Sequence, residues 1–101
     1  KWGGDCDSWI YCDSKNLSIK LELMPPNTRE ELHRHAKQEQ FFFILNGTAL
    51  FFKKGDSQVL HSQEGVFVAP NTSHYIANEG DEPLGFLVVS SPNKKGDRIA
   101  G

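Results

Sequence analysis

His33-Arg34-His35, followed by Gln40 and joined by His74 from a later segment, is the set of residue types in this chain that could do chemistry. On an extended chain successive side chains alternate faces, so residues i and i+2 point the same way and two imidazoles can close on one cation. A third imidazole from a second strand completes a facial set. Neutral imidazole is the commonest metal ligand, and three protein ligands with positions left open describe a catalytic rather than a purely structural site. An isolated His-x-His pair is often two solvated side chains, so the surroundings of the pair decide.

The elements that must position these residues read as strands. Leu17, Ile19, Leu21 and Leu23 alternate with Ser18, Lys20, Glu22 and Met24, a period of two that marks a half-buried strand. Pro25-Pro26-Asn27-Thr28 ends it. From His33 the pattern resumes through Phe41-Phe42-Phe43-Ile44-Leu45, apolar on both faces and therefore expected to be a central strand covered on each side. Asn46-Gly47 is a hairpin signal, since both residues tolerate positive φ. Further short strands are expected over Thr48–Phe52, Gln58–His61, Gly65–Ala69, His74–Asn78 and Leu84–Val89. About seven or eight strands with frequent turns argue for an all-β sandwich or barrel. Thr28 to Gln38 is the nearest approach to a helix, and the proline pair before it limits it to one turn.

Pro26-Asn27-Thr28 precedes the His33/His35 strand, and Pro70-Asn71-Thr72 precedes His74. Proline at i+1 and asparagine at i+2 suit a type II turn. Two equivalent turns, each feeding a histidine strand, suggest two related hairpins that face one cavity.

At 101 residues the chain is read as one domain. The net charge of -2 and a pI of about 6.1, with both signs interspersed, suggest neither a nucleic-acid partner nor an anionic membrane surface. The Lys53-Lys54 and Lys94-Lys95 pairs sit beside Gly and Asp, as solvated turns do. No apolar run reaches the length of a membrane span and no secretory h-region is present, so a cytoplasmic location is expected. Cys6 and Cys12 are read as reduced thiols, with a short bridged loop as the alternative in an oxidising compartment.

Spacing around the histidines resembles the cupin superfamily over nearly the whole chain. The family's first motif runs Gly, five residues, His-x-His, three or four residues, Glu, six residues, Gly; here Asn27, His33-Arg34-His35, Gln40 and Gly47 fall at those places. The second runs Gly, five residues, Pro-x-Gly, two residues, His, three residues, Asn; here Gln63, Ala69-Pro70-Asn71, His74 and Asn78 correspond. Trp2 to Trp9 and Gly96-Asp97-Arg98 are also similar to small single-domain cupins. The resemblance implies a double-stranded β-helix (jelly-roll) barrel with a metal inside, with residues 1–16 as an N-terminal arm or strand and 92–101 as a C-terminal tail.

The departure that touches chemistry is Gln40, where the family usually has a glutamate ligand. Glu39 is one residue out of step, and one step along a strand reverses the side chain, so Gln40 is the expected fourth ligand beside His33, His35 and His74. A neutral amide leaves the full charge of a divalent ion uncompensated. That loosens metal binding, raises Lewis acidity and favours anionic carboxylate- or enolate-like small molecules. Ligand type does not choose among Fe, Ni, Zn, Mn and Cu. The expected function is therefore a mononuclear metal enzyme, such as an oxygenase or isomerase, or else a non-catalytic metal- and ligand-binding module. The enzyme reading lacks an acid/base, because no carboxylate in either motif is clearly aimed inward. Phe41, Phe42, Phe43, Phe52 and Phe67 are expected in the core, His61 on the surface and Arg98 solvated in the tail, with contact to an anion as the lesser alternative for Arg98. Strands apolar on both faces further predict a homodimer.

Overall fold

The computed structural model describes residues 6–101, so Trp2 lies outside the described residues. Eleven strands follow one another: β1 (Asp7–Asp13), β2 (Ser18–Met24), β3 (Thr28–Arg29), β4 (His33–His35), β5 (Glu39–Asn46), β6 (Ala49–Lys53), β7 (Asp56–Leu60), β8 (Gly65–Val68), β9 (His74–Asn78), β10 (Leu84–Ser91) and β11 (Arg98–Ala100). They form two antiparallel sheets, one ordered β1-β2-β10-β5-β8 and the other β11-β4-β9-β6-β7 with β3 also on β9. Crossing from sheet to sheet along the chain closes a jelly-roll barrel, the all-β architecture expected. No helix among the described residues is long and apolar enough to cross a membrane.

Turn chemistry sets the corners. Asn27 and Asn71 adopt φ of 62° and 60°, and Gln63 adopts 71°, so each residue standing where the motifs have glycine keeps the left-handed backbone that glycine would supply. Lys54 and Gly55, at φ 52° and 83°, make the tight β6–β7 hairpin with Lys53 opposite Asp56. Asn46-Gly47 does something other than the expected hairpin: β5 pairs with β10 and β8, while β6 pairs with β7 and β9, so this turn carries the chain from one sheet to the other. Gly47 is needed there on two counts. Its φ is +88°, and a Cβ would meet the Pro83 carbonyl oxygen at 2.6 Å.

The core lies between the sheets. Phe42, Ile44, Phe51, Val68, Ile76, Leu84 and Phe86 are all at most 2% exposed. Phe42 packs edge-on to Phe51 at 4.9 Å between ring centroids and lies 5.9 Å from Phe86. Each such ring contributes roughly 1.5–3 kcal/mol by leaving water.

Alternation is real but its direction is not what apolarity suggests. In β5, Gln40, Phe42 and Ile44 are buried while Phe41 stays exposed and Phe43 half-buried, so the strand is covered on one face only. Phe41 and Phe67, expected in the core, are opposite one another on the outside at 41% and 49% exposure. In β2 the polar set Ser18, Lys20 and Glu22 lines the barrel's cavity, and the apolar set Ile19, Leu21 and Leu23 faces out. β2 is thus inside out by the usual rule, because its stretch of the inner wall borders a polar cavity, while β5 and β10 in the same sheet turn Phe42, Ile44, Phe86 and Val88 inward.

The first and last described strands both join the sheets. Residues 7–13 form β1 on the outer edge of β2. Residues 98–100, expected in a tail, form β11 antiparallel to the histidine strand, with Arg98 opposite His35 and Ala100 opposite His33. Gly101 N–H donates to the Leu32 carbonyl, and Ser73 Oγ donates to the Gly101 carbonyl, fastening the last residue. β-pairing is a non-local event that no local pattern in an -Arg-Ile-Ala-Gly end discloses.

Candidate metal centre

His33 and His74 sit directly opposite one another on the antiparallel pair β4–β9. The two Pro-Asn-Thr turns therefore deliver their histidines to neighbouring strands of one sheet, not to separate hairpins. His35, two residues on, shares the inward face. Ligand atoms from His33, His35 and His74 all lie within 4.8 Å of one another. Ring centroids are 4.4 Å apart for His33 and His74, 5.1 Å for His33 and His35, and 5.9 Å for His35 and His74. Such a cluster can hold one metal ion.

Backbone carbonyls orient two of the rings. His33 Nδ1 lies 2.9 Å from the Glu31 carbonyl and His74 Nδ1 lies 2.8 Å from that of Thr72. A carbonyl only accepts, so Nδ1 carries the proton and Nε2 keeps its lone pair in both rings. His74 Nε2 is buried with no partner, a state that costs free energy unless something electrophilic takes the lone pair. Phe51 stacks on His74 at 6.0 Å with an interplanar angle of 10°, and Phe42 meets its edge at 5.8 Å, so the ring is wedged.

The electrostatics keep the rings neutral. Burial pushes His33 down to about 4 despite its bond to the Glu31 carbonyl. Burial also lowers His74, and lowers His35 against the opposing pull of Asp97. Neutral rings are what coordination requires.

Gln40 points inward, as expected, and Glu39 points out to solvent. Gln40 Nε2 donates to Ser90 Oγ at 3.0 Å, which leaves Gln40 Oε1 buried without a partner. His61 is exposed just beyond β7. Cys6 and Cys12 are unbridged, with burial raising the Cys6 thiol.

A cavity of about 330 Å³ opens onto His33, His35 and Gln40. Glu22, Glu30 and Arg98 line it as well, none of which the motifs reveal. The expectation that no carboxylate is aimed inward is thereby corrected. Glu30 shares two bonds with β9: its N–H donates to the Ile76 carbonyl, and Ile76 N–H donates to its Oε1 at 3.2 Å. Burial pushes its carboxyl up to about 7, with Ile76 N–H and Arg98 pulling the other way and Glu22 adding to the rise. A continuous alternation counted back from His33 would turn Glu30 outward. The chain breaks phase between β3 and β4, where residues 30–32 are not strand.

Asp97 is a different kind of acid. Its Oδ2 accepts from the backbone N–H groups of Lys37 at 2.8 Å and Gln38 at 2.9 Å, and its carbonyl accepts from Ala36 N–H. Burial alone would raise its carboxyl, but the two amides together with the nearby His35 and Lys94 hold it below its usual value. Asp97 thus clips the loop that joins His35 to Gln40. The sequence carried a signal here only as the Gly96-Asp97-Arg98 resemblance.

The carboxyl of Glu30 gives a pH prediction. Below its ordinary value of 4.5 both folded and unfolded chains are protonated; as pH rises towards about 7 the unfolded chain ionises first and stability falls. His33 acts in the opposite sense, since its lowered value means stability is lost as pH falls from 6.5 towards about 4. Glu30→Gln isolates the first effect. Relative to wild type it is expected to gain stability between pH 5 and 7.5, by up to about 3 kcal/mol, as read by urea unfolding at each pH. A parallel pair of pH profiles would refute the assignment.

A two-sheet β barrel with three converging histidines, two of them lining a polar cavity, defines the class of double-stranded β-helix barrels. The Cupin domain family matches residues 20–90, and the chain belongs to that family. It is 31% identical over 88 residues to the oxalate decarboxylase of Bacillus subtilis, covering 82% of this chain and 23% of that one. It is 30% identical over 73 residues to an oxalate-binding protein of Thermotoga maritima, covering 72% of this chain and 60% of that one. Across the curated relatives it matches, the chain spans between 17% and 60% of their length. Among solved structures, an uncharacterized conserved protein with a double-stranded β-helix domain from Klebsiella pneumoniae superposes with a TM-score of 0.88 at 18% identity, covering 100% of this chain and 88% of that one.

Proposed function

We propose that His33, His35 and His74, with Gln40 as fourth donor, hold one divalent transition-metal ion, and that this centre binds or acts on a small oxygenated molecule of carboxylate or enolate type. The carrying observation is that His74 Nε2 and Gln40 Oε1 are among the buried polar atoms without partners, beside a cavity that His33, His35 and Gln40 line. Unsatisfied buried donors and acceptors are rare, and a cation satisfies both at once. Similarity to an oxalate decarboxylase and an oxalate-binding protein supports a small carboxylate as the ligand. When bound, the metal supplies Lewis acidity at its open positions. The chain's own residues do the rest: two carbonyls fix imidazole orientation, Asp97 fixes the loop to Gln40, and Glu30 stands ready in the cavity wall to take or give a proton. Glu30 favours a catalyst over a silent module.

The test is metal content of protein purified without a nickel column, by mass spectrometry, followed by titration of the metal-free protein with Fe(II), Ni(II), Zn(II), Mn(II) and Cu(II). About one ion per chain is expected, and a chain that takes up none of the five sinks the reading. Gln40→Glu adds a negative charge at the fourth donor and is expected to tighten divalent metal by roughly tenfold or more. Unchanged affinity would show that Gln40 lies too far away.

We also infer a homodimer through the outer face of the β1-β2-β10-β5-β8 sheet. Leu21, Leu87, Val89, Phe41, Phe43 and Phe67 form a continuous apolar surface across four strands, tied by the Leu21–Leu87–Phe43 and Val89–Phe41–Phe67 registers. Four strands about 4.8 Å apart and about 20 Å long present roughly 400 Å², the size of the largest apolar patch on a typical monomer and about half of one side of a standard interface, so the rim must supply the other half. A second copy presents the same apolar face, which is what a two-fold interface requires. Sedimentation at tens of micromolar should show a dimer, and Phe41→Glu should leave a folded monomer; a monomeric wild type overturns it.

A further inference from the structure

We infer that Arg98 and Glu30 form an organic-ligand subsite beside the histidine cluster in the same cavity, in which the Arg98 guanidinium holds a carboxylate and the Glu30 carboxyl accepts a hydrogen bond from a hydroxyl of the same small molecule. This deepens the ligand reading given above, by naming a hydroxy-carboxylate as the class.

Register places Arg98. Directly opposite residues on antiparallel strands project to the same face, and Arg98 is opposite His35, so its side chain rises on the inward side while Ile99 and Arg34 face away. Both Arg98 and Glu30 line the cavity. The guanidinium is near enough to influence Glu30 and all three imidazoles electrostatically. Yet among the described residues Arg98 has no hydrogen bond and no ion pair, whereas Arg34 donates to the Gly101 carbonyl and Arg29 lies over the Tyr75 ring. Arg98 is exposed and lines the cavity, and a planar fork of donors without a protein partner there suits bidentate capture of a carboxylate. Lys20, from the opposite sheet, adds positive charge to the same cavity.

Glu30 decides what the rest of the ligand carries. Ile76 N–H holds one carboxyl oxygen, so the group is aimed and not free to swing away. An acceptor that faces an anchored anion needs a donor on the ligand, either a hydroxyl or an ammonium. Lys20, Lys94, Lys95 and Arg98 on the lining are balanced by Asp13, Glu22, Glu30 and Asp97, so an ammonium finds no net attraction there to offset the cost of stripping its water. A hydroxyl meets Glu30 without that cost. Ser18 and Ser90 on the facing wall add hydroxyl partners of the same kind. The volume of about 330 Å³ admits a molecule of a few carbons.

The experiment uses metal-free protein, so that chelation plays no role and metal binding can fail independently. Tartrate, succinate and aspartate are titrated by calorimetry and by backbone NMR shifts. Tartrate and succinate share both carboxylates and differ by two hydroxyls; aspartate carries one ammonium on the same four-carbon frame and no hydroxyl. Tartrate is expected to bind roughly tenfold more tightly than either, the worth of one well-made hydrogen bond in a buried site. Arg98→Met should weaken tartrate and succinate alike by about tenfold or more with an unchanged melting temperature, and Arg98→Lys should restore part of it. Glu30→Gln should bring tartrate and succinate to within about threefold of each other. Absence of saturable tartrate binding in the millimolar range, wild-type affinity in Arg98→Met, or binding of succinate or aspartate as tight as tartrate overturns the subsite. Metal loading of the wild type, measured without any organic acid, judges the histidine centre on its own.

Discussion

His35→Ala is expected to lower divalent-metal affinity by at least about a hundredfold while leaving the barrel folded. Loss of groups that merely orient a ligand costs about 10- to 100-fold, and loss of the ligand itself costs no less. His35 is the cleanest of the three histidines to test. It is half-buried, whereas His33 and His74 are 3% and 0% exposed and their removal would also leave a hole. Its backbone stays locked between β9 and β11 through the β4 pairings and by Asn71 N–H, which donates to the His35 carbonyl at 2.7 Å. The measurement is a competitive titration with a chromophoric chelator, run beside thermal unfolding of the metal-free protein. Affinity within a few-fold of wild type would mean that His33 and His74 do not share an ion with His35.

Phe42→Ala is expected to cost about 3–5 kcal/mol of folding stability. Phe42 is 2% exposed and touches Phe51, Phe86 and the edge of His74, so its ring is shared by both sheets and by the metal site's wall. Truncation removes the transfer energy and leaves a cavity that rings held by two hydrogen-bonded sheets cannot collapse to fill. Because His74 loses one of its two aromatic neighbours, metal affinity should fall with stability. Phe41→Ala, on the same strand but outward, should cost under about 1.5 kcal/mol in the monomer and act on association instead. Denaturant unfolding of both variants checks the contrast. Similar losses would contradict the one-sided burial of β5.

The chemistry-bearing residues were legible because they depend on local rules. Two histidines at i and i+2 share a face wherever a strand forms, and the parity that separates Gln40 from Glu39 is equally local. Asn27 and Asn71 announce their positive φ by residue type, and so does the Lys54-Gly55 hairpin. Where local reading failed, the missing information was non-local. Asn46-Gly47 has the backbone of a hairpin turn, but whether the strands it joins pair with one another depends on β8, β9 and β10. The five-residue run Phe41–Leu45 is as apolar as a strand covered on both sides, and only the sheet order shows that, among the described residues, no second sheet packs over Phe41.

From the amino-acid order alone came an all-β chain, a shared face for His33 and His35, an inward Gln40 and a partner histidine at residue 74. Tertiary structure alone decided that His74 stands opposite His33, that the polar side of β2 faces the cavity, and that the last residues return as a strand carrying Arg98. It also turned Glu30 inward through a break in strand phase. The physical reason is range: side-chain parity and turn φ are properties of a few adjacent residues, while the choice of pairing partner and of the wetter sheet face is settled by free energy summed over the whole barrel.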